Sequence, residues 1–411
     1  MMSRRILLLM VFISSVAWAG GQQRALRDGD RVAFYGDSIT AQRFYTRFVE
    51  DFVLTRYPKL HIAFWNAGVP GDTVNGGYTG DAPTRLKRDL FPHQPTVVTV
   101  MLGMNDGFYM PFEQKNLDLY ESGYRRLLAA IQANLPGVRI TLLSPTPYDE
   151  LTHGAEFARY NEVIDRHAAF VKELAASSHF GFSDFYLAVI NLTKMGMEKD
   201  PSLAALLIPD RIHPAEASQW VMAAALARDW GMSPVVSSAR LDALQTAPVA
   251  TENTQISGMT ARDGKLQWTQ LDGSLPLPLD LENRLVQFVL RSSDVAAMDR
   301  QMLSVDHLPM ARYTLKIDGR AVASFDRGQL AAGVNLALYS TPMQSQAKQV
   351  DGLEQERARL DEAHFILAIE KPTFADADAA TKAIETKDAA LAAEQQEAAQ
   401  PVPHAFELDP E

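Results

Sequence analysis

Cysteine is absent from the 411 residues of the chain. This absence excludes a disulfide framework, a thiol nucleophile and a thiolate metal site. Basic side chains are also fewer than acidic ones. The chain has 39 Lys and Arg and 50 Asp and Glu, which gives a formal net charge of -11. An acidic surface repels a phosphate backbone, so nucleic acid is not expected as a partner.

The sequence also lacks an apolar run long enough to span a membrane. The N-terminus holds the run that comes closest to this length. It carries Arg4 and Arg5, then an apolar run from Ile6 to Ala17, with small residues at Ala17 and Ala19. This order is typical of a secretory signal peptide, and the run is shorter than the ~20 residues that a bilayer requires. We expect cleavage after Ala19 and export to the periplasm or the extracellular space.

Between residues 31 and 231, short apolar runs rich in β-branched side chains alternate with longer segments of helical periodicity. This alternation is typical of parallel strands joined by crossover helices, and it predicts an α/β fold. The predicted strands are 32–35, 61–66, 96–102, 139–144 and 181–184. The predicted helices are 44–57, 83–91, 117–134, 155–176 and 215–230.

After residue 231 the pattern changes to short alternating runs broken by Gly, Asp and Pro. Strands are predicted at 285–291, 312–317 and 321–325, and Asp318-Gly319 is a hairpin turn signal between the last two. From residue 343 the chain is rich in Ala, Glu, Lys and Gln, which favours helices, one of them at 375–398. The last residues, 401–411, are predicted to be a loose tail.

The length of the chain favours more than one packed unit. The predicted division is a signal peptide at 1–19, an α/β domain at 20–233, a β-rich accessory domain at 234–341, and a helical segment with a tail at 342–411.

A first chemical motif, Gly36-Asp37-Ser38, lies where the first predicted strand turns into a helix. Its serine hydroxyl would lie at the carboxyl edge of the sheet, where α/β folds bind their ligands. Taken alone, the motif has a second interpretation, in which Asp37 or Ser38 caps the helix.

Two further motifs offer hydrogen-bond donors at the ends of the next two strands. Residues 66–71 read Asn-Ala-Gly-Val-Pro-Gly, and Gly71 can present its backbone N–H to a substrate without a side chain in the way. Residues 103–106 read Gly-Met-Asn-Asp, and the Asn105 amide can donate to an oxyanion. The alternatives are a turn glycine with positive φ and an Asx turn, respectively.

The last motif, Asp210-Arg211-Ile212-His213, precedes the final helix of the α/β domain. The three-residue spacing lets the carboxylate reach one imidazole nitrogen while the other nitrogen faces a serine. By itself the motif is also compatible with a capping Asp beside a surface His.

Together the four motifs resemble the blocks that name the SGNH/GDSL hydrolases, over about residues 31–230. The resemblance implies Ser38 as nucleophile and Asp210 and His213 as the rest of the triad. It also implies an oxyanion hole formed by the Ser38 N–H, Gly71 and Asn105, in a three-layer, flavodoxin-like fold with a parallel sheet. It implies no metal and no organic cofactor. Arg211 departs from the family, which often has Gly or another small residue there.

The function expected from this resemblance is that of an exported serine esterase cleaving short-chain, mainly acetyl, esters on carbohydrate through an acyl-enzyme. Two alternatives remain open. One is a lipase, lysophospholipase or thioesterase acting on longer acyl chains, and the other is a non-catalytic cell-surface protein that binds carbohydrate. Aromatic side chains near predicted strand ends are candidates for stacking on sugar rings, namely Trp65, Tyr78, Phe108, Tyr109 and Tyr148.

Overall fold

The computed structural model describes residues 25–154, 159–370 and 376–411. The signal peptide predicted at 1–19 lies outside these residues, as does the start of the helix predicted at 155–176. Within the described ranges, no helix combines the length and the apolar character needed to cross a membrane.

The strands of the N-terminal domain follow the predicted alternation. They are β1 (Arg31–Gly36), β2 (Ala63–Gly68), β3 (Gly76–Gly77), β4 (Gly80–Asp81), β5 (Val97–Met101), β6 (Arg139–Leu143) and β7 (Gly181–Ser183). Five of them form one parallel sheet in the order β2-β1-β5-β6-β7, while β3 and β4 pair as a small separate hairpin. The predicted strands differ from those of the sheet by at most two residues at either end.

Helices cover both faces of this sheet. They are α1 (Ser38–Ala41), α2 (Phe44–Arg56), α3 (Ala82–Arg85), α4 (Gln114–Asn134), α5 (Tyr160–Ser178), α6 (Phe185–Lys199), α7 (Pro201–Ala204) and α8 (Glu216–Asp229). Side chains alternate along a strand, so Val32 and Phe34 of β1 enter one core with α2 and α8, and Ala33 and Tyr35 enter the other with α4 and α5. The expected three-layer α/β fold is confirmed.

One predicted helix, at 83–91, is interrupted. Pro83 lies in the first turn of α3, where proline is favoured, and a π-helical turn (Leu86–Leu90) and a 3-10 turn (Phe91–His93) follow. Pro92 has no N–H to continue an α-helix, which accounts for the break. Helices α6 and α7 were not predicted.

Two further sheets make up the accessory region. Their strands are β8 (Val235–Asp242), β9 (Ala250–Glu252), β10 (Thr254–Arg262), β11 (Lys265–Asp272), β12 (Arg300–Asp306), β13 (Arg312–Ile317), β14 (Arg320–Asp326), β15 (Val334–Asn335) and β16 (His404–Pro410). One sheet has the order β10-β11-β16-β13-β14 and the other β15-β12-β8-β9. Trp268 and Leu315 from the first share a core with Leu241 and Leu303 from the second.

The predicted hairpin between β13 and β14 is present, and Asp318 and Gly319 both have positive φ, as a tight turn of this kind requires. The strand predicted at 285–291 is wrong, because these residues form helix α9 (Arg284–Ser292). Asn283 caps that helix by accepting from the backbone N–H groups of Leu285 and Val286.

The predicted loose tail is also wrong. Residues 404–410 form β16, the middle strand of the larger accessory sheet, hydrogen-bonded to β11 on one side and β13 on the other. Phe406 and Leu408 alternate into the core. The boundary predicted between 341 and 342 therefore cuts through a single sheet.

The remaining helices of the C-terminal half are α10 (Arg327–Ala332), α11 (Pro342–Glu370) and α12 (Ala377–Ala398). Helix α11 packs against both α12 and α2. Arg47 of α2 forms an ion pair with Glu216 of α8 and lies 3.5 Å from Asp351 of α11. At the end of α2, the buried Arg56 pairs with Asp299 at 3.0 Å. The accessory region therefore supports the helix that follows α1.

Candidate active site

Ser38 is the first residue of α1, at the carboxyl end of β1, which lies between β2 and β5 in the sheet. The neighbouring Asp37 caps this helix, because its Oδ1 accepts from the N–H of Ile39 at 3.0 Å. Burial raises the pKa of the Asp37 carboxyl to about 7. The capping interpretation of the motif thus applies to Asp37, whereas the Ser38 hydroxyl is hydrogen-bonded elsewhere.

The structure brings Ser38, His213 and Asp210 into one hydrogen-bonded chain. Nε2 of His213 lies 2.8 Å from Oγ of Ser38, and Nδ1 lies 2.6 Å from Oδ2 of Asp210. Oδ1 of Asp210 also accepts from the backbone N–H groups of Ile212 at 3.0 Å and His213 at 2.7 Å. These contacts fix the imidazole between a hydroxyl and a carboxylate.

Two opposing effects act on the pKa of Asp210. Partial burial acts to raise it, but the hydrogen bonds from the backbone and ring of His213 and from the N–H of Ile212 hold it below its ordinary value. The carboxylate therefore stays ionised at neutral pH, as a group that orients an imidazole must.

Arg211, the departure from the family pattern, has a left-handed backbone with φ of 72°. Glycine adopts this conformation without strain, which explains a small residue at this position in the family. Here the guanidinium donates to the carbonyl oxygens of Gly154 at 2.5 Å and His153 at 3.0 Å, and the Arg211 carbonyl accepts from Asp149 N at 2.8 Å. The arginine thus ties the 149–154 loop to the turn that carries Asp210 and His213.

Gln219 of α8 is a supporting residue that the sequence did not reveal. Its Nε2 donates to the carbonyl of Pro214 and to Oε1 of Gln42, both at 2.9 Å, and its Oε1 accepts from Tyr45 N at 3.0 Å. The side chain is fully buried. It connects the turn that follows His213 to the junction between α1 and α2. It therefore fixes the position of the imidazole relative to the serine.

The two predicted oxyanion donors lie on adjoining loops. Gly71 has φ of 75°, as a turn glycine does. The amide of Asn105 donates to the carbonyl of Asp72, the residue that follows Gly71, at 2.9 Å. The Asn105 side-chain oxygen accepts from the Tyr109 hydroxyl at 2.9 Å. This side chain is thus engaged with Asp72 and Tyr109 and does not form the Asx turn considered as its alternative.

Asn66 joins the second motif to the first. Its amide donates to the carbonyl of Thr40 in α1 at 2.8 Å, and its oxygen accepts from Gly68 N at 3.0 Å. A Cβ at Gly68 would lie 2.4 Å from the backbone nitrogen of Ala41. Only glycine allows α1 to approach the end of β2 this closely.

Buried ionisable side chains stabilise the two loops that carry Gly71 and Asn105. Arg85, which is fully buried, donates from Nε to Asp72 at 2.7 Å and from Nη2 to the carbonyl of Ala67 at 2.8 Å. Asp106 accepts from Val74 N at 2.9 Å, and burial raises the pKa of this carboxyl to about 8. Asp72 and Asp106 therefore stabilise the loops and are turned away from solvent.

The five aromatic candidates divide into two groups. Tyr78 and Phe108 are exposed, at 76% and 58%. Trp65 stacks on a neighbouring imidazole, Tyr148 is buried, and the ring of Tyr109 packs near Tyr148 and Tyr160. Only Tyr78 and Phe108 are therefore placed to meet a sugar ring from solvent.

A three-layer α/β fold with a Ser-His-Asp hydrogen-bonded chain at the carboxyl edge of its sheet is the architecture of an SGNH-type serine hydrolase. Residues 34–221 match the GDSL-like lipase/acylhydrolase family. These residues make up most of the α/β domain, which therefore belongs to this family and is that of a serine hydrolase acting on ester bonds.

Three individual proteins are similar to this chain. An acetylxylan esterase of Geobacillus stearothermophilus is 26% identical over 230 residues, which cover 51% of this chain and 97% of that protein. A crystal structure of acetylxylan esterase from the same organism, 26% identical, covers 50% of this chain and 96% of its own, with a TM-score of 0.42. A gut microbial diltiazem-metabolizing enzyme, 24% identical, covers 95% of this chain and 100% of its own, with a TM-score of 0.81. The last likeness shows that the fold, accessory sheets included, is shared with another protein.

The contacts of Gln219 lead to a prediction. Gln219→Met keeps most of the volume but leaves buried polar groups of Pro214 and Tyr45 without their partner. We expect the free energy of unfolding to fall by about 1–3 kcal/mol and kcat to fall several-fold, since the imidazole loses one of its supports. Urea denaturation and hydrolysis of p-nitrophenyl acetate measure the two effects.

Gln114→Met is the matched control, because Gln114 is an exposed glutamine on α4. Equal stability and equal kcat in the two variants would show that the Gln219 contacts do not hold the site together.

Proposed function

We propose that the chain is an exported esterase that removes acetyl groups from carbohydrate through a Ser38-His213-Asp210 acyl-enzyme mechanism. The observation that carries the proposal is the hydrogen-bonded chain from Oγ of Ser38 through the His213 ring to Asp210, with contacts of 2.8 and 2.6 Å. Export is supported by the signal-peptide pattern of residues 1–19.

The proposed reaction has two acyl-transfer steps. Oγ of Ser38 attacks the ester carbonyl carbon while Nε2 of His213 takes the hydroxyl proton, and Asp210 stabilises the imidazolium that forms. The tetrahedral intermediate then expels the alcohol, which receives that proton, and leaves an acetyl group on Ser38. Water attacks the acyl-enzyme with the same assistance and releases acetic acid.

The negative charge of each tetrahedral intermediate falls on the former carbonyl oxygen. We assign its stabilisation to the backbone N–H groups of Ser38 and Gly71 and to the amide of Asn105. Such donors are held in place before the reaction, so they need no reorganisation as charge develops. The hydrogen bond from Asn105 to Asp72 supports this assignment, since it keeps the amide beside the loop of Gly71.

The exposure of the site supports a large alcohol component. The side chain of Asp210 is 54% exposed and that of His213 is 26% exposed, so the triad opens to solvent. A polymer can reach a surface site of this kind. The similarity to a protein described as an acetylxylan esterase supports both acetyl as the acyl group and carbohydrate as its carrier.

Two exposed rings support carbohydrate as the alcohol component. Tyr78 lies on the β3–β4 hairpin that follows the Gly71 loop, and Phe108 lies three residues after Asn105. Exposed aromatic faces of this kind suit the apolar faces of sugar rings. Both residues thus lie close in sequence to the proposed oxyanion donors.

The proposal predicts that kcat/KM is highest for acetyl esters and falls with acyl length. Each methylene buried in an apolar groove would contribute about 0.8 kcal/mol, so an enzyme with such a groove would show the opposite trend. The test compares p-nitrophenyl acetate, butyrate and octanoate under identical conditions, beside acetate release from acetylated xylooligosaccharides.

Acetate release from the oligosaccharides would support the carbohydrate assignment. An optimum at octanoate would identify a lipase or thioesterase instead. Binding of the oligosaccharides with no hydrolysis of any ester would favour the non-catalytic binding protein.

A further inference from the structure

The side-chain amide of Asn105 makes two hydrogen bonds, one as a donor and one as an acceptor. Its Nδ2 donates to the carbonyl of Asp72, and its Oδ1 accepts from the hydroxyl of Tyr109, both at 2.9 Å. A primary amide carries two N–H bonds, so one remains after Asp72 is satisfied. That second N–H is the one the proposed mechanism directs at the oxyanion.

The hydroxyl of Tyr109 acts on the oxygen side of the same amide. A donor at Oδ1 fixes the plane of the amide, and it polarises the group so that its N–H bonds become stronger donors. Burial raises the pKa of Tyr109 above its ordinary value, and the charges of Asp37 and Asp210 act in the same direction. The hydroxyl therefore keeps the proton that it donates.

The position of Tyr109 is fixed by ring packing and by the backbone conformation of its loop. Its ring centroid lies 4.9 Å from that of Tyr160, whose hydroxyl donates to the carbonyl of Met104 at 2.6 Å. Phe108 and Tyr109 both have φ of 56°, so two consecutive residues with side chains adopt the left-handed conformation. Strained backbone of this kind persists where the surrounding structure holds it, and it is concentrated at functional sites.

The left-handed backbone of Phe108 and Tyr109 directs their side chains to different surroundings. Phe108 is exposed, whereas the ring of Tyr109 turns toward the protein and its hydroxyl reaches Asn105. We infer that Tyr109 is a positioning residue that orients and polarises the Asn105 amide for the oxyanion. This inference rests on the proposed function, because it assigns Tyr109 a role only through Asn105.

The test begins with Tyr109→Phe, which removes one oxygen atom and keeps the ring. We expect kcat for p-nitrophenyl acetate to fall about tenfold with KM unchanged, because the amide contacts the oxyanion mainly in the transition state. Tyr124→Phe is the matched control, since it also removes a buried hydroxyl, which donates to the carbonyl of Val100 at 3.2 Å. It should keep the wild-type kcat, and both variants should keep the melting temperature within a few degrees.

A double-mutant cycle separates positioning from a direct role. In the Asn105→Ala background, Tyr109→Phe should cause no further loss of kcat, because the amide on which it acts is gone. An equal tenfold loss in both backgrounds would overturn the inference, as would a wild-type kcat in the single variant. If Asn105→Ala alone keeps the wild-type kcat, the proposed oxyanion assignment itself fails, and this outcome is distinct from a failure confined to Tyr109.

Discussion

Ser38→Ala is expected to lower kcat for p-nitrophenyl acetate by about 10⁴-fold or more, because the variant has no atom that can bond to the carbonyl carbon. The methyl group fits where the hydroxyl was. The hydrogen bond lost is the one to Nε2 of His213, so the fold should persist. Initial rates measure the effect on catalysis, and circular dichroism with thermal melting checks the fold.

The matched control is Ser122→Ala, the same change at an exposed serine of α4. It should keep full activity. If Ser38→Ala keeps its activity as well, another residue is the nucleophile and the triad is wrongly assigned.

Asn105→Ala is expected to lower kcat by about a hundredfold and to change KM much less. The amide should bind the oxyanion of the tetrahedral intermediate more tightly than the carbonyl oxygen of the substrate. Loss of the contact to Asp72 also frees the neighbouring Gly71 loop, which acts in the same direction. Steady-state kinetics with p-nitrophenyl acetate separate kcat from KM.

Asn134→Ala provides the control, because Asn134 is an exposed asparagine at the end of α4. It should have wild-type kinetics. A change in KM alone for Asn105→Ala would make this residue a substrate anchor, and the oxyanion hole would need another donor.

The α/β domain could be predicted from the sequence because its information is local. Strands of a parallel sheet are buried on both faces, so they appear as short continuous apolar runs. Their carboxyl ends meet at one edge, which is why motifs far apart in sequence could be expected to converge. The structure places Ser38 and His213, 175 residues apart in the chain, within hydrogen-bonding distance.

The accessory region was harder to predict because its pairing is not local. β16 pairs with β11 and β13, and Phe406 lies opposite Trp268 and Ile317. A short polar segment at the end of the chain gives no sign of such distant partners. Residues 284–292 were misjudged for another reason, since a short apolar run fits a strand or a buried helix equally well.

The supporting residues of the site were missed because their roles depend on contacts rather than on motifs. Gln219 is one glutamine in an ordinary helix, and only the fold shows that it joins the His213 turn to the junction of α1 and α2. The sequence predicts for Tyr109 only a candidate role in stacking on sugar rings. Its hydroxyl contact to Asn105 follows from a strained loop conformation that the sequence does not indicate.

The identity of the nucleophile is tested most directly by covalent labelling. The full-length protein is incubated with a fluorophosphonate, digested and analysed by mass spectrometry, and residual esterase activity is followed in parallel. We predict one adduct per chain, on Ser38, with activity falling in proportion to labelling and with no adduct in Ser38→Ala. An adduct on a different serine, formed as activity is lost while Ser38 stays unmodified, would contradict the account.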